Sequence, residues 1–227
     1  MKQARLSTKM YVSVAIPLAM LILLTSGVFV MSDKVESKAN LARTESFVFA
    51  AIANQMKVDV IQVQQWLTDI SATRGLDGLD DGFDEAASSR ESFLKGAAEF
   101  DRMYREENAA EDLAQLEALK KAFEGYYEQG RKMAQAYVAE GPAGGNKIMA
   151  AFDEAASKMA ASLDPFVEQQ ANELEQAMLD VNSASTSLRV SSLACGALAL
   201  VLGLTVSAIV IRSVTRPITI AIEGIRQ

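Results

Sequence analysis

Two long runs without a charged side chain stand near the two ends of this sequence, at residues 10–32 and 190–211. A helix rises 1.5 Å per residue, so about 22 residues cross a hydrocarbon core of ~30 Å. The charges around the runs fit two crossings. Residues 1–31 hold three cations, Lys2, Arg5 and Lys9, and no acid. Residues 32–189 hold 28 acids against 16 lysines and arginines, a net charge of −12. After Arg189 come Arg212, Arg216 and Arg226 against Glu223 alone. Cationic flanks stay on the cytoplasmic side of a membrane, which puts both ends inside and the acidic middle outside. The expected layout is a cytoplasmic segment over 1–9, a first span over 10–32 and an extracytoplasmic domain over 33–189. A second span over 190–211 and a cytoplasmic segment over 212–227 complete it.

A cleaved signal peptide is the rival reading of the first run. Its apolar region is longer than such peptides use, and no A-x-A-like site follows it, so it reads as a retained anchor. Pro17 falls one to two turns into this span, where membrane helices tolerate a kink. Gly196 and Gly203 lie among Ala and Ser in the second span, which lets that helix approach a neighbour closely.

Composition removes several function classes. An acidic middle lacks the basic face that nucleic acid requires. With no His in the chain, His-based acid–base catalysis and the common zinc sites are excluded. The single cysteine, Cys195, lies in the second apolar run, so the middle has no disulfide framework. No nucleophile or phosphate-loop motif appears. The chain reads as a non-enzyme with no cofactor and no metal.

Between the spans the apolar residues recur at helical spacing. Phe49, Ile52, Met56, Val63, Leu67 and Ile70 mark one amphipathic helix, and Phe93, Ala97, Phe100 and Tyr104 a shorter one. Leu113, Leu116, Phe123, Tyr126, Met133 and Tyr137 mark a third. The fourth shows Ile148, Phe152, Met159, Leu163, Phe166, Leu174, Val181 and Leu188. Breaks fall at Gly75, Gly78 and Gly82 with Asp77, Asp80 and Asp81, at Asn108, and at Gly141, Pro142, Gly144 and Gly145. The fold class is therefore all-α: two transmembrane helices flanking an up-down-up-down extracytoplasmic four-helix bundle. The outer helices are longer than the inner pair. Near the membrane their apolar stripes have no third or fourth helix to pack on, and a second copy of the chain is the simplest partner. A homodimer is expected. Pro165 interrupts the last helix, either kinking it or opening a new one capped by Asp164.

After the second span comes Arg212-Ser-Val-Thr-Arg216-Pro217-Ile218, followed by Ile222 and Ile225 at steps of four and three. Proline suits a first helical turn, so a new amphipathic helix opens there. This segment resembles the opening of a HAMP linker. With the layout before it, the whole resembles the input half of a methyl-accepting chemotaxis protein with a four-helix-bundle ligand domain. The resemblance implies a bacterial inner-membrane receptor whose outer domain dimerises and binds a small molecule or a ligand-loaded binding protein. It implies further that the last helix and its span relay the signal to the linker, with Arg212, Arg216, Pro217, Ile218, Ile222 and Ile225 in transmission. Pro165 marks a mechanical discontinuity on that last helix. The chain stops at Gln227, before a second linker helix and any output domain. The same front half serves some sensor histidine kinases and diguanylate cyclases, and a non-sensing dimeric membrane scaffold is the remaining alternative.

A bundle binds ligands between its helices, where polar groups face inward. Trp66, Thr73 and Arg74 close the first helix, and Arg74 suits a carboxylate through a bidentate pair. Arg90, Arg131 and Lys147 reach the same level on the other helices. Two of these have a plainer role. Trp66 suits core or interface packing, and Arg74, beside Gly75, suits the C-terminal end of its helix. The pattern Asp77-x-x-x-Asp81-Gly82 lacks two ligand positions of a calcium loop and reads as a capped turn.

Overall fold

Helix propensity and spacing decide nearly every residue of this chain, so its turns are the informative places. The computed structural model describes residues 6–212. The described residues are all-α, with no strand: α1 (Leu6–Leu41), a π-helical turn (Ala42–Ser46), α2 (Phe47–Thr73), a 3-10 turn (Leu76–Gly78), α3 (Gly82–Glu106), α4 (Ala110–Glu140) and α5 (Pro142–Val210). α2 stops where Arg74 and Gly75 turn left-handed, at φ 59° and 63°. Asn108, at φ 57°, separates α3 from α4, and Gly141, at φ 66°, separates α4 from α5. Asparagine and glycine are the residues that enter this region most cheaply. The break expected from Gly141 to Gly145 shrinks to Gly141 alone, because Pro142 fits the first position of a new helix. Asp84 and Glu85 open α3, and Glu111 and Asp112 open α4, where carboxylates oppose the positive end of the helix dipole.

The chain forms two compact units, residues 42–176 and residues 6–41 with 177–212, and α5 supplies residues to both. In the first unit α2, α3, α4 and the N-terminal half of α5 share one apolar core. Its aromatic rings fall into layers. Phe100 of α3 meets Phe49 of α2 at 5.0 Å and Phe166 of α5 at 4.8 Å. Phe93 of α3 stacks on Phe123 of α4 at 3.7 Å, and Tyr126 of α4 lies 5.4 Å from Phe152 of α5. The Tyr126 hydroxyl donates to the Val60 carbonyl of α2 at 3.0 Å, satisfying the polar end of a buried ring. α5 passes Pro165 without a break, and Phe166 beside it is buried in the first of these layers.

In the second unit α1 keeps Pro17 inside its length, and α5 runs to Val210. Both helices are long and apolar enough to cross a membrane. Their large side chains are exposed: Leu23 at 72%, Phe29 at 75% and Leu193 at 75%. Hydroxyls in the apolar stretches bond back within the helix, Thr25 and Ser26 to Leu21 and Ile22 at 2.8 Å and Thr205 to Val201 at 2.7 Å. Lys38 pairs with Asp180 at 2.5 Å where the apolar stretch has given way to charged residues.

Close approach in the core depends on glycine. A Cβ at Gly82 would stand 2.7 Å from the Trp66 carbonyl oxygen and 2.8 Å from Ile70 Cγ1. Backbone cannot give way as a side-chain tip can, so Gly82→Ala is expected to cost about 1–3 kcal/mol. Thermal or urea unfolding of the detergent-solubilised chain, followed by circular dichroism, checks this.

Candidate functional site

At the end of α2 farthest from α1, Thr73 and Arg74 are drawn into a capped turn. The Arg74 amide donates to the Ile70 carbonyl at 2.7 Å, ending the helix. The Thr73 hydroxyl donates to the Leu79 carbonyl at 3.0 Å and accepts from the Gly75 amide at 3.3 Å. The Arg74 side chain then crosses to α4, where Nε donates to the Tyr137 carbonyl at 3.3 Å and the guanidinium lies against Gly141. Arg74 thus stands at the C-terminal ends of two helices, both of which carry partial negative charge. Of the two roles open to it, the contacts are those of the cap. Trp66 is half-buried and packs on the core, its carbonyl facing Gly82.

Arg90 and Arg131 are brought together by a third residue. Their guanidiniums lie 5.4 Å and 5.9 Å from the centre of the Tyr127 ring. Arg90 is fully engaged by Glu124, with Nε to Oε2 at 3.1 Å and Nη2 to Oε1 at 2.7 Å. That bidentate hydrogen bond, with the charges of Glu124, Tyr127 and Glu128, raises the Arg90 pKa against the opposing effect of burial. Arg131 reaches Glu128 at 4.0 Å. Arg90 thus ties α3 to α4 through Glu124 beside the buried Tyr127 ring, while Arg131 and Glu128 pair along α4. Lys147 is exposed on the first turns of α5, next to Asn146, whose side-chain oxygen accepts from the Tyr137 hydroxyl.

Pro165 borders a cavity of about 220 Å³ between α4 and α5, lined also by Gln115, Leu119, Ser162 and Gln169. Arg212 is the last described residue; Arg216, Pro217, Ile218, Ile222 and Ile225 lie outside the described residues. Among the described residues no group of three or more His, Cys, Asp or Glu side chains is arranged to hold a metal ion.

Spacing along the chain did not reveal two features. Asp59 and Gln170 are buried, at 3% and 2% exposure. Gln55 donates to Asp59 Oδ1 at 2.9 Å, while Asp59 Oδ2 and Gln170 Nε2 have no hydrogen-bond partner. Asp59 follows Met56 by three and precedes Val63 by four, so an acid within the core-facing register was the available signal. The second feature is a convergence of carboxylates at the α3–α4 turn. Glu107 is surrounded by Glu45 of the π-helical turn, Glu173 of α5, Asp112 of α4 and Glu106 of its own helix end. Gln169 of α5 donates to Asp112 at 3.4 Å and to Glu173 at 3.0 Å, tying two of these acids together. Burial first, and then these like charges, raise the Glu107 carboxyl above its ordinary 4.5.

A raised carboxyl pKa means that the folded state holds the proton more tightly than the unfolded chain. The stabilisation is complete below the ordinary Glu range and is lost as pH rises through the higher folded-state value. Glu107→Gln is expected to melt above the parent at neutral pH, with the difference shrinking as pH falls through the ordinary Glu range. Melting temperatures of the two proteins across a pH series check it.

No family model, curated protein or solved structure matches this chain.

Proposed function

We propose that this chain is the input module of a bacterial transmembrane chemoreceptor, a dimeric sensor with its four-helix bundle outside the inner membrane and both ends inside. The observation that carries this reading is the path of α5. One helix packs Phe152, Met159, Leu163 and Phe166 into the core of the 42–176 unit and continues as the apolar stretch that ends at Val210. A ligand that shifts α5 against α2, α3 and α4 needs no further joint to act on the membrane-spanning part. The basic flanks, the acidic middle and the Arg216-Pro217-Ile218 resemblance to a HAMP linker support the same reading.

The outward face of α2 supports the dimer. Phe47, Val58 and Ile61 are exposed at 58%, 45% and 53%, and with Ala51 they follow a seven-residue repeat opposite the core face. No position of this repeat from Thr44 to Ala72, stepping three and four residues, carries a charge. A charge-free stripe in which Phe47, Ala51, Val58 and Ile61 stand among Thr44, Asn54, Gln65 and Thr68 suits burial against its own copy across a two-fold axis.

Two measurements test the proposal. Alkaline phosphatase joined after Gly141 is expected to be active and after Arg212 inactive; the reverse pattern would rule out the topology. With Cys195 replaced by Ser, Ile61→Cys is expected to form a disulfide dimer in membranes, while Lys95→Cys on the exposed face of α3 stays monomeric. Joining the chain through its linker to a chemoreceptor's kinase-controlling half then reads function directly. Kinase activity that ignores a broad metabolite panel would sink the sensory role.

A further inference from the structure

Asp164-Pro165 is a helix start that the fold does not use. Aspartate is a favoured N-cap residue, and proline is favoured at the first helical position after it. The chain obeys a proline start once, where Pro142 opens α5 directly after the Gly141 turn. Pro165 stands further along the same helix, which runs through it without a break.

Continuity there runs against two local preferences. The proline ring disfavours helical backbone at the residue before it, which is Asp164. Having no N–H, Pro165 also leaves the Ala161 carbonyl without its helical partner. Conflicts between local preference and global fold are expected at functional positions.

The Asp164 carboxylate has another occupation. Its Oδ1 accepts from Lys57 Nζ of α2 at 2.8 Å, so the group that would cap a new helix is held by a neighbouring one. Among the described lysine pairs of the 42–176 unit, those of Lys95, Lys120 and Lys158 stay on one helix, whereas Lys57 crosses to α5.

Breaking the helix at this point disturbs little. It releases the Phe166 and Val167 amides from the Ser162 and Leu163 carbonyls. A freed Asp164 carboxylate then accepts from one of those two amides as an N-cap. Pro165 has no amide to lose, and the Glu168 amide still reaches the Asp164 carbonyl. Leu163 and Phe166 are buried at 2% and 8% exposure, so the core grips the helix on both sides of the break. Asp164 and Pro165 themselves are exposed, and backbone opened between them reaches water.

We propose that Asp164-Pro165 is a two-state joint in α5, continuous while Lys57 holds the Asp164 carboxylate and broken when that carboxylate caps the helix from Pro165 onward. Lys57 ties the joint to α2, so a shift of α5 against α2 that parts the pair releases the cap. The joint stands without the receptor reading; its use in signalling rests on that reading.

Hydrogen exchange of the full chain in detergent reads the joint at the Phe166 and Val167 amides. Lys57→Met is expected to speed their exchange by up to about fivefold, the upper range for loss of one exposed ion pair. Asp164→Asn, which loses the charge and keeps a good N-cap, is expected to do the same. Asp164→Ala loses the pair and the cap together, and its exchange is expected to stay near that of the parent. Pro165→Ala removes the conflict and is expected to slow both amides. The proposal is overturned if Lys57→Met leaves both amides unchanged, if Asp164→Ala speeds them as much as Asp164→Asn, or if Pro165→Ala exchanges as fast as the parent. Should Lys57→Met fail to fold, the contrast between Asn and Ala at position 164 decides. A joint that opens in these variants while a fused kinase keeps its activity supports the two states and removes their use in signalling.

Discussion

The 42–176 unit depends on one ring. Phe100 of α3 lies within contact of Phe49, Tyr104 and Phe166, so rings of α2, α3 and α5 converge on it. A buried Phe contributes about 1.5–3 kcal/mol relative to leaving it in water. Three helices therefore lose their best apolar contacts together if this layer loosens. The layer also explains how α5 accommodates Pro165. A proline inside a helix removes one backbone hydrogen bond and costs about 3 kcal/mol. Phe166, the next residue, is clamped in the aromatic layer, and Leu163 just before the proline is buried at 2% exposure. Packing on both sides of the proline holds the helix continuous where its own hydrogen bonding is weakest.

Apart from the buried Asp59 and Gln170, the polar groups described above lie at the edges of this core. Arg74 satisfies the exposed carbonyl end of α4, Arg90 and Arg131 sandwich Tyr127, and Lys57 pairs with Asp164 at 2.8 Å next to Pro165. Arg74, Arg90 and Lys57 thus clip helices together, while Lys95, Arg102, Arg105, Lys120, Arg131 and Lys158 pair with acids of their own helix. The α3–α4 turn is the exception. There Glu107 meets only further carboxylates among its nearest charged influences, and the fold carries the repulsion at neutral pH.

Local patterns were legible in the sequence, and convergences were not. Phe49, Met56, Val63, Leu67 and Ile70 are all buried because a 3.6-residue period fixes which face of a helix turns inward, whatever it packs against. Gly75, Asn108 and Gly141 end helices because their own backbones favour the left-handed region. The Gly141–Gly145 break is shorter than expected because Pro142 starts a helix more readily than the following glycines prevent one. The partners of Arg90 and Arg74 lie 34 and 63 residues away, set by how neighbouring helices slide into register. No spacing rule within one helix carries that register. The candidate ligand residues were chosen for residue type and for their level along the helices, and neither separates a clip from a binding group.

A sensory role asks α5 to move without coming loose, and the energies of its attachments differ in the way this needs. Allosteric coupling between two sites is typically ~1–3 kcal/mol. The exposed Lys57–Asp164 pair between α2 and α5 contributes ~0–1 kcal/mol, so the binding energy of a ligand would be enough to rearrange it. Burial of Phe152, Met159, Leu163 and Phe166 exceeds that coupling several times over. Under the proposed sensory role, a ligand would shift α5 by small sliding against its neighbours without pulling it from the core. Helix-to-helix sliding of this kind is the shear motion that packed helices allow. Its direction is limited by Pro165, because the residues on either side are held by the core while the backbone between them lacks one hydrogen bond. Under such a load, axial displacement would pass this point as translation, whereas bending would concentrate where the hydrogen bond is missing. A receptor built on this helix would accordingly transmit axial displacement more faithfully than tilt.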